Sequence, residues 1–517
     1  MRIRLALMLA AGTVSLAGAP VAEAGTASRP NVVVVVTDDQ PASTANARTM
    51  PSTMRLIARR GARFTRSIVS TPVCCPSRAT LLTGQFGHNN GVLWNNPGYP
   101  DLDDPANTLP VWLRRAGYRT VHVGKWLNGY KHVVPDTAVA PPGWSQWRTA
   151  LEPIRYYDYV LGVNGRRIEH GSKRRDYITR VLNRQAARMV RRFGDRGRPL
   201  FMLVDQFAPH AWPGPGLANG CRAPGVEPDY RDRRRFKRVE LPDPPSFDEA
   251  DVSDKPSFIR ARPRVTKADV KLRSRWHRCV LASLRAVDRG VERIWRELGR
   301  IGQRRNTAIV FTSDNGFYFG EHRVFVGKEL PYREGLEVPL AIRLPPTQRP
   351  KHARGLRVRR LVGNVDLAPT ILELAKADPC ASPLDCRVLD GRSLLGLARG
   401  RDGSWPDGRA LPLELDVGPP TATPNVSCSF QGLWVGRETY LHHTAATTPE
   451  RDCVPVDESE HYDLRTDPHQ LENLFPAAPG SAGAARQAAL AARAEALAGC
   501  SGIAGRDPAP PGGSSCE

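Results

Sequence analysis

The stretch NVVVVVTDD, residues 31–39, decides the fold of this chain. Its five consecutive valines form an apolar run without alternation, which is typical of a strand buried on both faces of a parallel sheet. Three further short apolar runs have the same character, at 119–123, 201–204 and 307–312. Plausible helices lie between them, so the sequence predicts an α/β fold with a large, mostly parallel sheet between helices.

Polar residues of catalytic type follow each of these four runs. They are Asp38 and Asp39 after the first run, Lys125 after the second, His210 after the third, and Asp314 and Asn315 after the fourth. In open α/β sheets, ligands bind at the carboxyl ends of the strands. We therefore expect the four clusters to converge on one cleft.

The rest of the chain suggests a main domain with additions. Helical patterns are predicted at 51–60, 279–298 and 482–498, whereas 220–271 is rich in Arg, Pro and Asp and predicts a long insertion near the cleft. We predict a catalytic domain at 25–398, a smaller C-terminal α+β subdomain at 399–504 and a disordered tail at 505–517.

The first 24 residues resemble a secretory signal peptide. A basic start, an apolar run from Leu5 to Ala11 and the small residues before Ala24 give the expected layout. The alternative, a membrane anchor, needs about 20 apolar residues, and neither this run nor a later segment is long enough. The sequence therefore predicts an exported protein without a membrane span.

Cysteine usage agrees with export. Apart from the adjacent Cys74 and Cys75, eight cysteines form an even set that allows up to four disulfides. Pairing of successive cysteines is the simplest of about 105 connectivities. A zinc site is the alternative, but no CxxC spacing occurs among the eight.

The formal net charge of +22 predicts attraction to polyanions. No nucleic-acid-binding motif is present, and we predict no nucleic-acid partner. A sulfated polysaccharide is another candidate, and the basic run Arg231–Arg235 is its expected contact. An arginine-rich but merely solvated surface remains the alternative.

The segment CCPSRATLLTG, residues 74–84, is the most specific one in the chain. It resembles the signature C-x-P-S-R-x-x-x-L-T-G of the type I, formylglycine-dependent sulfatases at every fixed position. The resemblance implies an alkaline-phosphatase-like sulfatase fold, and oxidation of Cys74 to formylglycine by a separate formylglycine-generating enzyme. The alternative is a pair of buried, unmodified thiols.

The residues that follow Cys74 also favour a reactive group at this position. Pro76 suits the first turn of a helix and Gly84 its end, so Cys74 is expected at a helix N-terminus, where backbone N–H groups favour an anion such as a sulfate ester. In the family mechanism, one hydroxyl of the hydrated aldehyde attacks sulfur and the other expels sulfate. An unmodified thiol lacks the second hydroxyl.

The acidic clusters predict a hard-cation site. Asp38, Asp39, Asp314 and Asn315 offer the oxygen ligands that calcium or magnesium takes, although each residue alone could instead cap a helix. The resemblance implies that these four bind calcium, together with the formylglycine at Cys74. Such a cation would polarise a sulfate oxygen.

Four further residues complete the implied site. By resemblance, Arg78 holds the formylglycine, Lys125 in GKWLN and Lys328 in GKELPYREG bind the sulfate, and His210 in APHAWP contacts the sulfate and leaving oxygen. An imidazole can donate a proton there. Taken singly, each lysine would be a solvated charge and His210 a structural residue.

The resemblance covers about residues 30–475, with one departure. Many sulfatases have a histidine in the place of Leu127, and the GK-aromatic-LN version is most similar to the N-acetylglucosamine-6-sulfatase branch and the extracellular heparan sulfatases. Asn128 or Asp39 is expected to substitute in part for that histidine, and Asn128 is also a candidate substrate contact.

The sequence thus predicts a secreted sulfuric ester hydrolase that cleaves sulfate monoesters, on a sugar such as N-acetylglucosamine-6-sulfate or a glycosaminoglycan. Two alternatives remain open at this point. One is a phosphate or phosphonate monoester hydrolase of the same superfamily. The other is a non-catalytic protein that binds sulfated glycans and keeps Cys74 unmodified.

Overall fold

The computed structural model describes residues 29–194, 197–211, 221, 225–325, 327–382, 385–403, 405–417, 426–448, 450–507 and 513–517. The predicted signal peptide lies outside the described residues.

The strands are, in chain order, β1 Asn31–Thr37, β2 Ala62–Phe64, β3 Ser67–Ile68, β4 Arg119–Lys125, β5 Gln146–Ala150, β6 Tyr159–Val163, β7 Arg166–His170, β8 Leu200–Asp205, β9 Thr307–Ser313, β10 Leu340–Arg343, β11 Leu356–Val358, β12 Val362–Gly363, β13 Cys380–Ser382, β14 Asp385–Cys386, β15 Ala410–Asp416, β16 Ser427–Val435, β17 Glu438–Thr447 and β18 Cys453–Asp463.

The α-helices are α1 Pro51–Leu56, α2 Cys74–Thr83, α3 Gly87–Asn90, α4 Leu109–Arg115, α5 Ile178–Phe193, α6 Ser257–Arg260, α7 Lys267–Arg300, α8 Arg333–Leu336, α9 Leu367–Ala375, α10 Leu395–Ala398 and α11 Ala482–Ala498. Short 3-10 helices lie at Ala42–Thr44, Ala58–Arg60, Tyr99–Asp101, Tyr130–His132, Arg174–Asp176, Gln303–Asn306, Pro346–Gln348, Lys351–Ala353 and Asn364–Asp366.

A ten-stranded sheet in the order β11-β2-β10-β9-β1-β8-β4-β5-β6-β7 organises the main domain. The four strands predicted from apolar runs, β9, β1, β8 and β4, are adjacent in its centre and mutually parallel. Antiparallel pairs flank them on both sides, because β10 runs against β9 and β2, and β6 runs against β5 and β7. The α/β prediction is confirmed, and the sheet is mixed outside its parallel centre.

The valine run of β1 is buried on both sides, as predicted. Val32, Val34 and Val36 pack in one hydrophobic cluster with α9, and Val33 and Val35 pack in a second cluster with α5 and α7. Each face of the sheet is therefore covered by helices, and the carboxyl end of β1 is held between two packed layers.

The three predicted helices exist, two of them with altered lengths. The first ends at Leu56 and continues as a 3-10 turn, and the third spans 482–498 as predicted. The second is longer than predicted, because α7 begins at Lys267, where Thr266 and Asp269 form a capping box. Upstream of α7, the described part of the predicted insertion contains only the short helix α6, and a disulfide joins Cys221 to Cys279 of α7.

The C-terminal region forms a separate small sheet, β15-β16-β17-β18, which is antiparallel and covered by α11. A buried ion pair joins it to the main domain, where Arg409 contacts Asp366 at 2.8 Å. Our division at 398/399 remains a proposal. The predicted disordered tail is wrong for 513–517, because the disulfide between Cys500 and Cys516 attaches these residues to the end of α11 and Cys516 is fully buried.

Pairing of successive cysteines is confirmed. The four disulfides are Cys221–Cys279, Cys380–Cys386, Cys428–Cys453 and Cys500–Cys516, while Cys74 and Cys75 stay free. In the part of the chain that the structure describes, no helix combines the length and apolar character needed to cross a membrane.

Candidate active site

The ends of β1 and β9 form the floor of the site. β1 and β9 pair in parallel, so Asp38 and Asp39 come out beside Asp314 and Asn315. The backbone N–H of Asp39 donates to Asp314 Oδ1 at 3.1 Å, and the Asn315 amide donates to Asp39 Oδ1 at 2.7 Å. The structure thus brings together two pairs that are more than 270 residues apart.

Cys74 is the first residue of α2, which ends at Gly84 in the left-handed conformation, as the Pro and Gly positions predicted. Its Sγ lies 3.5 Å from Asp38 Oδ1 and also contacts Lys328 Nζ. Burial raises the pKa of the Cys74 thiol to about 12. An unmodified thiol here stays protonated at neutral pH and is a poor nucleophile.

Two lysines neutralise the carboxylates of the floor. Lys125, at the end of β4, lies 2.7 Å from Asp38 Oδ2, and Lys328 lies 2.6 Å from Asp39 Oδ1. Burial opposes a charge on either lysine, but the adjacent carboxylates raise the pKa of both, so both are cations at neutral pH. Burial would likewise raise the pKa of Asp38, yet the positive charges, Lys125 foremost, hold it well below its usual range.

Arg78 reaches into the site from the second turn of α2. Its guanidinium contacts Asp314 and Asp205 at 2.8 Å each, and Asp38 at 3.7 Å. Despite burial, these carboxylates raise the pKa of Arg78. The side chain is therefore a fixed cation in the centre of the site.

His210 follows β8, and its Nε2 lies 3.6 Å from Asp39 Oδ2. Its Nδ1 is buried and has no hydrogen-bond partner among the described residues. Burial lowers the pKa of His210. A neutral imidazole next to the carboxylates can take up or release a proton as the charge around it changes.

Leu127 and Asn128, which follow Lys125 closely in the chain, have different neighbours. Leu127 is buried in the hydrophobic cluster behind β4. The backbone carbonyl of Asn128 accepts from Cys75 Sγ at 3.8 Å and from the Tyr99 N–H at 2.8 Å. Its side-chain Oδ1 is buried without a described partner.

Asp205 is a residue of the site that the sequence analysis missed. It ends β8, accepts from Arg78, and lies 3.1 Å from Nε2 of the buried His122. A signal was available, because Asp205 follows the apolar run 201–204 as Asp38 follows the valines. His122 gave no such signal, since it lies inside a strand and its aromatic neighbours Trp126, Trp144 and Trp147 come from different elements.

The donor set suits a hard cation. Ligand atoms of Asp38, Asp39, Cys74 and His210 lie within 4.8 Å of one another. Asn315 Oδ1 is a buried oxygen without a described hydrogen bond, and oxygens of this kind are what calcium takes. Burial and the charge of Asp38 raise the pKa of Asp314 to about 7.

Comparison with known proteins agrees with this geometry. The Sulfatase family model matches residues 30–377. The chain is 30% identical to the N-acetylglucosamine-6-sulfatase of Homo sapiens, over 86% of this chain and 81% of that protein. It is 32% identical to the extracellular sulfatase SULF-1 homolog of Drosophila melanogaster over 73% of this chain, but it spans only 32% of that protein.

A solved structure shares the fold at a TM-score of 0.72 and 24% identity, over 90% of this chain and 97% of the other. That protein is in complex with its substrate, D-glucosamine-2-N,6-O-disulfate.

Proposed function

The chain belongs to the sulfatase family, and from this premise we propose that it is an exported, calcium-dependent hydrolase of sulfate monoesters on sugars. The observation that carries the proposal is the position of Cys74. It opens a helix, it is buried, and Asp38 and Lys328 both contact its Sγ.

In the reactive form, the Sγ of Cys74 is replaced by the aldehyde oxygen of formylglycine. When present, this group supplies two hydroxyls on one carbon, one to attack sulfur and one to expel sulfate. Asp38 Oδ1, at 3.5 Å from the side-chain atom of residue 74, holds a hydroxyl proton there. Since Leu127 stands in place of the family histidine and is buried in a hydrophobic cluster, we assign this role to the carboxylates.

The cations of the site bind the sulfate group. Lys125 and Lys328 flank Cys74 with their ammonium groups and orient the sulfate oxygens toward residue 74. His210 Nε2, on the Asp39 side, is the group that first takes up a proton and then donates it to the leaving oxygen. Arg78 holds the floor together through three carboxylates.

We propose that Asp38, Asp39, Asp314 and Asn315 hold calcium beside residue 74. The buried Asn315 Oδ1, which has no hydrogen-bond partner among the described residues, supports this assignment. Calcium supplies Lewis-acid polarisation of a sulfate oxygen. The formylglycine oxygen would complete the set.

The charge balance of the site favours a sulfate ester over a phosphate ester. Asp38, Asp39, Asp205 and Asp314 face the cations Arg78, Lys125 and Lys328, so with all four carboxylates ionised the protein part carries one net negative charge. A divalent cation reverses this to one net positive charge. A sulfate monoester, with a single negative charge, then balances the site, whereas a phosphate monoester carries about −1.5 to −2 at pH 7.

The sugar substrate and the location follow from the relatives. The names of two relatives, N-acetylglucosamine-6-sulfatase and extracellular sulfatase, support a sulfated amino sugar and an extracytoplasmic site of action. Four disulfides agree with an oxidising compartment. The implied maturation partner is a formylglycine-generating enzyme.

One pair of measurements tests the proposal. Mass spectrometry of the peptide that contains Cys74 should show formylglycine, and the protein should hydrolyse an aryl sulfate far faster than the phosphate ester of the same alcohol. Cys74→Ala should abolish turnover and leave the melting temperature nearly unchanged. An unmodified Cys74 in an active protein would contradict the mechanism, and preference for the phosphate ester would favour the alternative hydrolase.

A further inference from the structure

A cavity of about 260 Å³ lies between the ten-stranded sheet and the C-terminal sheet, away from Cys74. Five arginines and a single acidic residue, Glu337, line it. The arginines are Arg66, Arg333, Arg357, Arg359 and Arg437. They come from the end of β2, the start of α8, strand β11 and the β16–β17 turn, so the fold collects them from separate parts of the chain.

The positive charge of this cavity is largely unbalanced. Glu337 pairs with Arg333 at 3.0 Å. The other four arginines form no ion pair among the described residues. By contrast, in the adjoining cavity of about 560 Å³, Arg360 pairs with Asp402 and Asp407, and Arg409 pairs with Asp366. The smaller cavity therefore differs from an ordinary solvated arginine surface.

Two buried donors in the cavity lack an acceptor. Nη2 of Arg66 and Nε1 of Trp434 are both buried and have no hydrogen-bond partner in the described part of the protein. Trp434 is only 2% exposed, so water reaches its N–H poorly. A buried donor without an acceptor is costly, and both residues line one cationic cavity, so the ligand that would satisfy them is an anion with several acceptor oxygens.

The cavity lies on the active-site edge of the sheet. β10 is antiparallel to both β9 and β2, so β2 runs parallel to β9 and ends at the same edge as Asp314. Arg66 follows β2 by two residues, and β2 is two strand spacings from β9, about 10 Å. A chain of sugars with one sulfate at Cys74 can therefore extend along this edge.

We propose that this arginine cavity is a second anion site, which binds another sulfo group of a sulfated oligosaccharide while one sulfate ester occupies the active site. The planar guanidinium group of arginine can donate two parallel hydrogen bonds to the oxygens of such a group, and the Trp434 N–H adds a neutral donor. The adjoining cavity shares Arg66, Arg357 and Arg359 and gives room for the attached sugar. The inference rests on the proposed function in that it takes the substrate to be a sulfated glycan.

The test uses two matched triple variants. The cavity variant carries Arg357→Gln, Arg359→Gln and Arg437→Gln, and the surface variant carries Arg233→Gln, Arg234→Gln and Arg235→Gln. All six arginines are exposed and each variant removes three charges, so neither should unfold the protein. The surface variant neutralises part of the basic run that the sequence analysis favoured.

Binding is measured by calorimetry in the Cys74→Ala background, so that turnover plays no part. The probes are a sulfated glycosaminoglycan oligosaccharide, its desulfated counterpart, and inorganic sulfate. In the cavity variant we expect the Kd for the sulfated oligosaccharide to rise about tenfold or more, since charge-assisted hydrogen bonds to the anion are lost. In the surface variant we expect a change below about twofold, since its three arginines do not line the proposed anion site.

Equal weakening in both variants would overturn the proposal in favour of diffuse charge attraction, and no weakening in the cavity variant would overturn it outright. Trp434→Phe, which removes the N–H without changing charge, should weaken sulfated oligosaccharide binding a few-fold. Hydrolysis of a small aryl sulfate by both triple variants with Cys74 intact separates the two proposals. If the unmutated protein fails to hydrolyse it while the cavity variant still loses oligosaccharide binding, the proposed function fails and the anion site stands.

Discussion

Replacing Asp205 by Asn tests how the site holds Arg78. Asp205 is 3% exposed and accepts from Arg78 Nη1 at 2.8 Å, with His122 at its other oxygen. The substitution keeps the shape and removes the charge. Arg78 retains Asp314, so the cost is that of one charge-assisted hydrogen bond, about 2 kcal/mol, rather than the larger cost of an uncompensated buried charge.

For a chain of this length, a loss of about 2 kcal/mol lowers the melting temperature by about 2 °C. Activity should fall more. Without the Asp205 charge, Arg78 is drawn toward Asp314 on one side only, and a misplacement that costs about 1.4 kcal/mol in the transition state lowers kcat tenfold. We therefore expect kcat on an aryl sulfate to fall tenfold or more, measured well below the melting temperature.

Asp229→Asn is the matched control. Asp229 is 1% exposed and also bridges two arginines, Arg180 and Arg289, but between α5 and α7 rather than in the site. It should lose about as much stability as Asp205→Asn and keep wild-type kcat. Full activity in the Asp205 variant, or an equal loss in both variants, would refute the positioning role of Asp205.

Three further outcomes follow from the structure. Prolonged chelation should remove bound calcium and activity together, and added calcium should restore both. Asp314→Asn should lower the calcium content measured by mass spectrometry. A protein that is active without metal would contradict the assignment. His88 lies 2.6 Å from Glu414, and although burial opposes its charge, this pair raises its pKa to about 9. Its stabilising contribution is complete below the unfolded value of about 6.5 and is lost as pH rises through 9, so His88→Gln should lower the melting temperature at pH 6 but hardly at pH 9.5. His443→Ala should lower the free energy of unfolding by about 3–5 kcal/mol, since it leaves the fully buried Glu460 without the imidazole at 2.9 Å. The melting temperature should then fall by about 3–5 °C. A melting temperature within about 1 °C of wild type would contradict this.

The elements that the sequence predicted are those whose signal is local. The valine run of β1 needs no partner to be recognised as a buried strand, and Pro76 and Gly84 mark the ends of α2 within ten residues. The strands β6, β7 and β10, outside the parallel centre, carry weaker hydrophobic patterns. They are only four or five residues long, and each contains partly or fully exposed residues. Their antiparallel direction depends on the neighbouring strands.

Contacts between distant residues were beyond local reasoning. The bond between Arg78 and Asp205 joins residues 127 apart, and His122 reaches the same carboxylate from β4, 83 residues away. The arginine cavity likewise draws its residues from four elements. A motif identifies which side chains are reactive, but only the packed fold decides which charges face them.

Strand order explains why long side chains stand where they do. β1 lies between β9 and β8, so the chain passes to both sides of it, and its carboxyl end is the switch point where a ligand crevice opens. β9 is adjacent to β1, and short Asp and Asn side chains suffice there. β4 is two spacings away, about 10 Å. From that distance a lysine can reach Asp38, as Lys125 does at 2.7 Å, whereas a shorter side chain at position 125 would leave Asp38 without its closest cation.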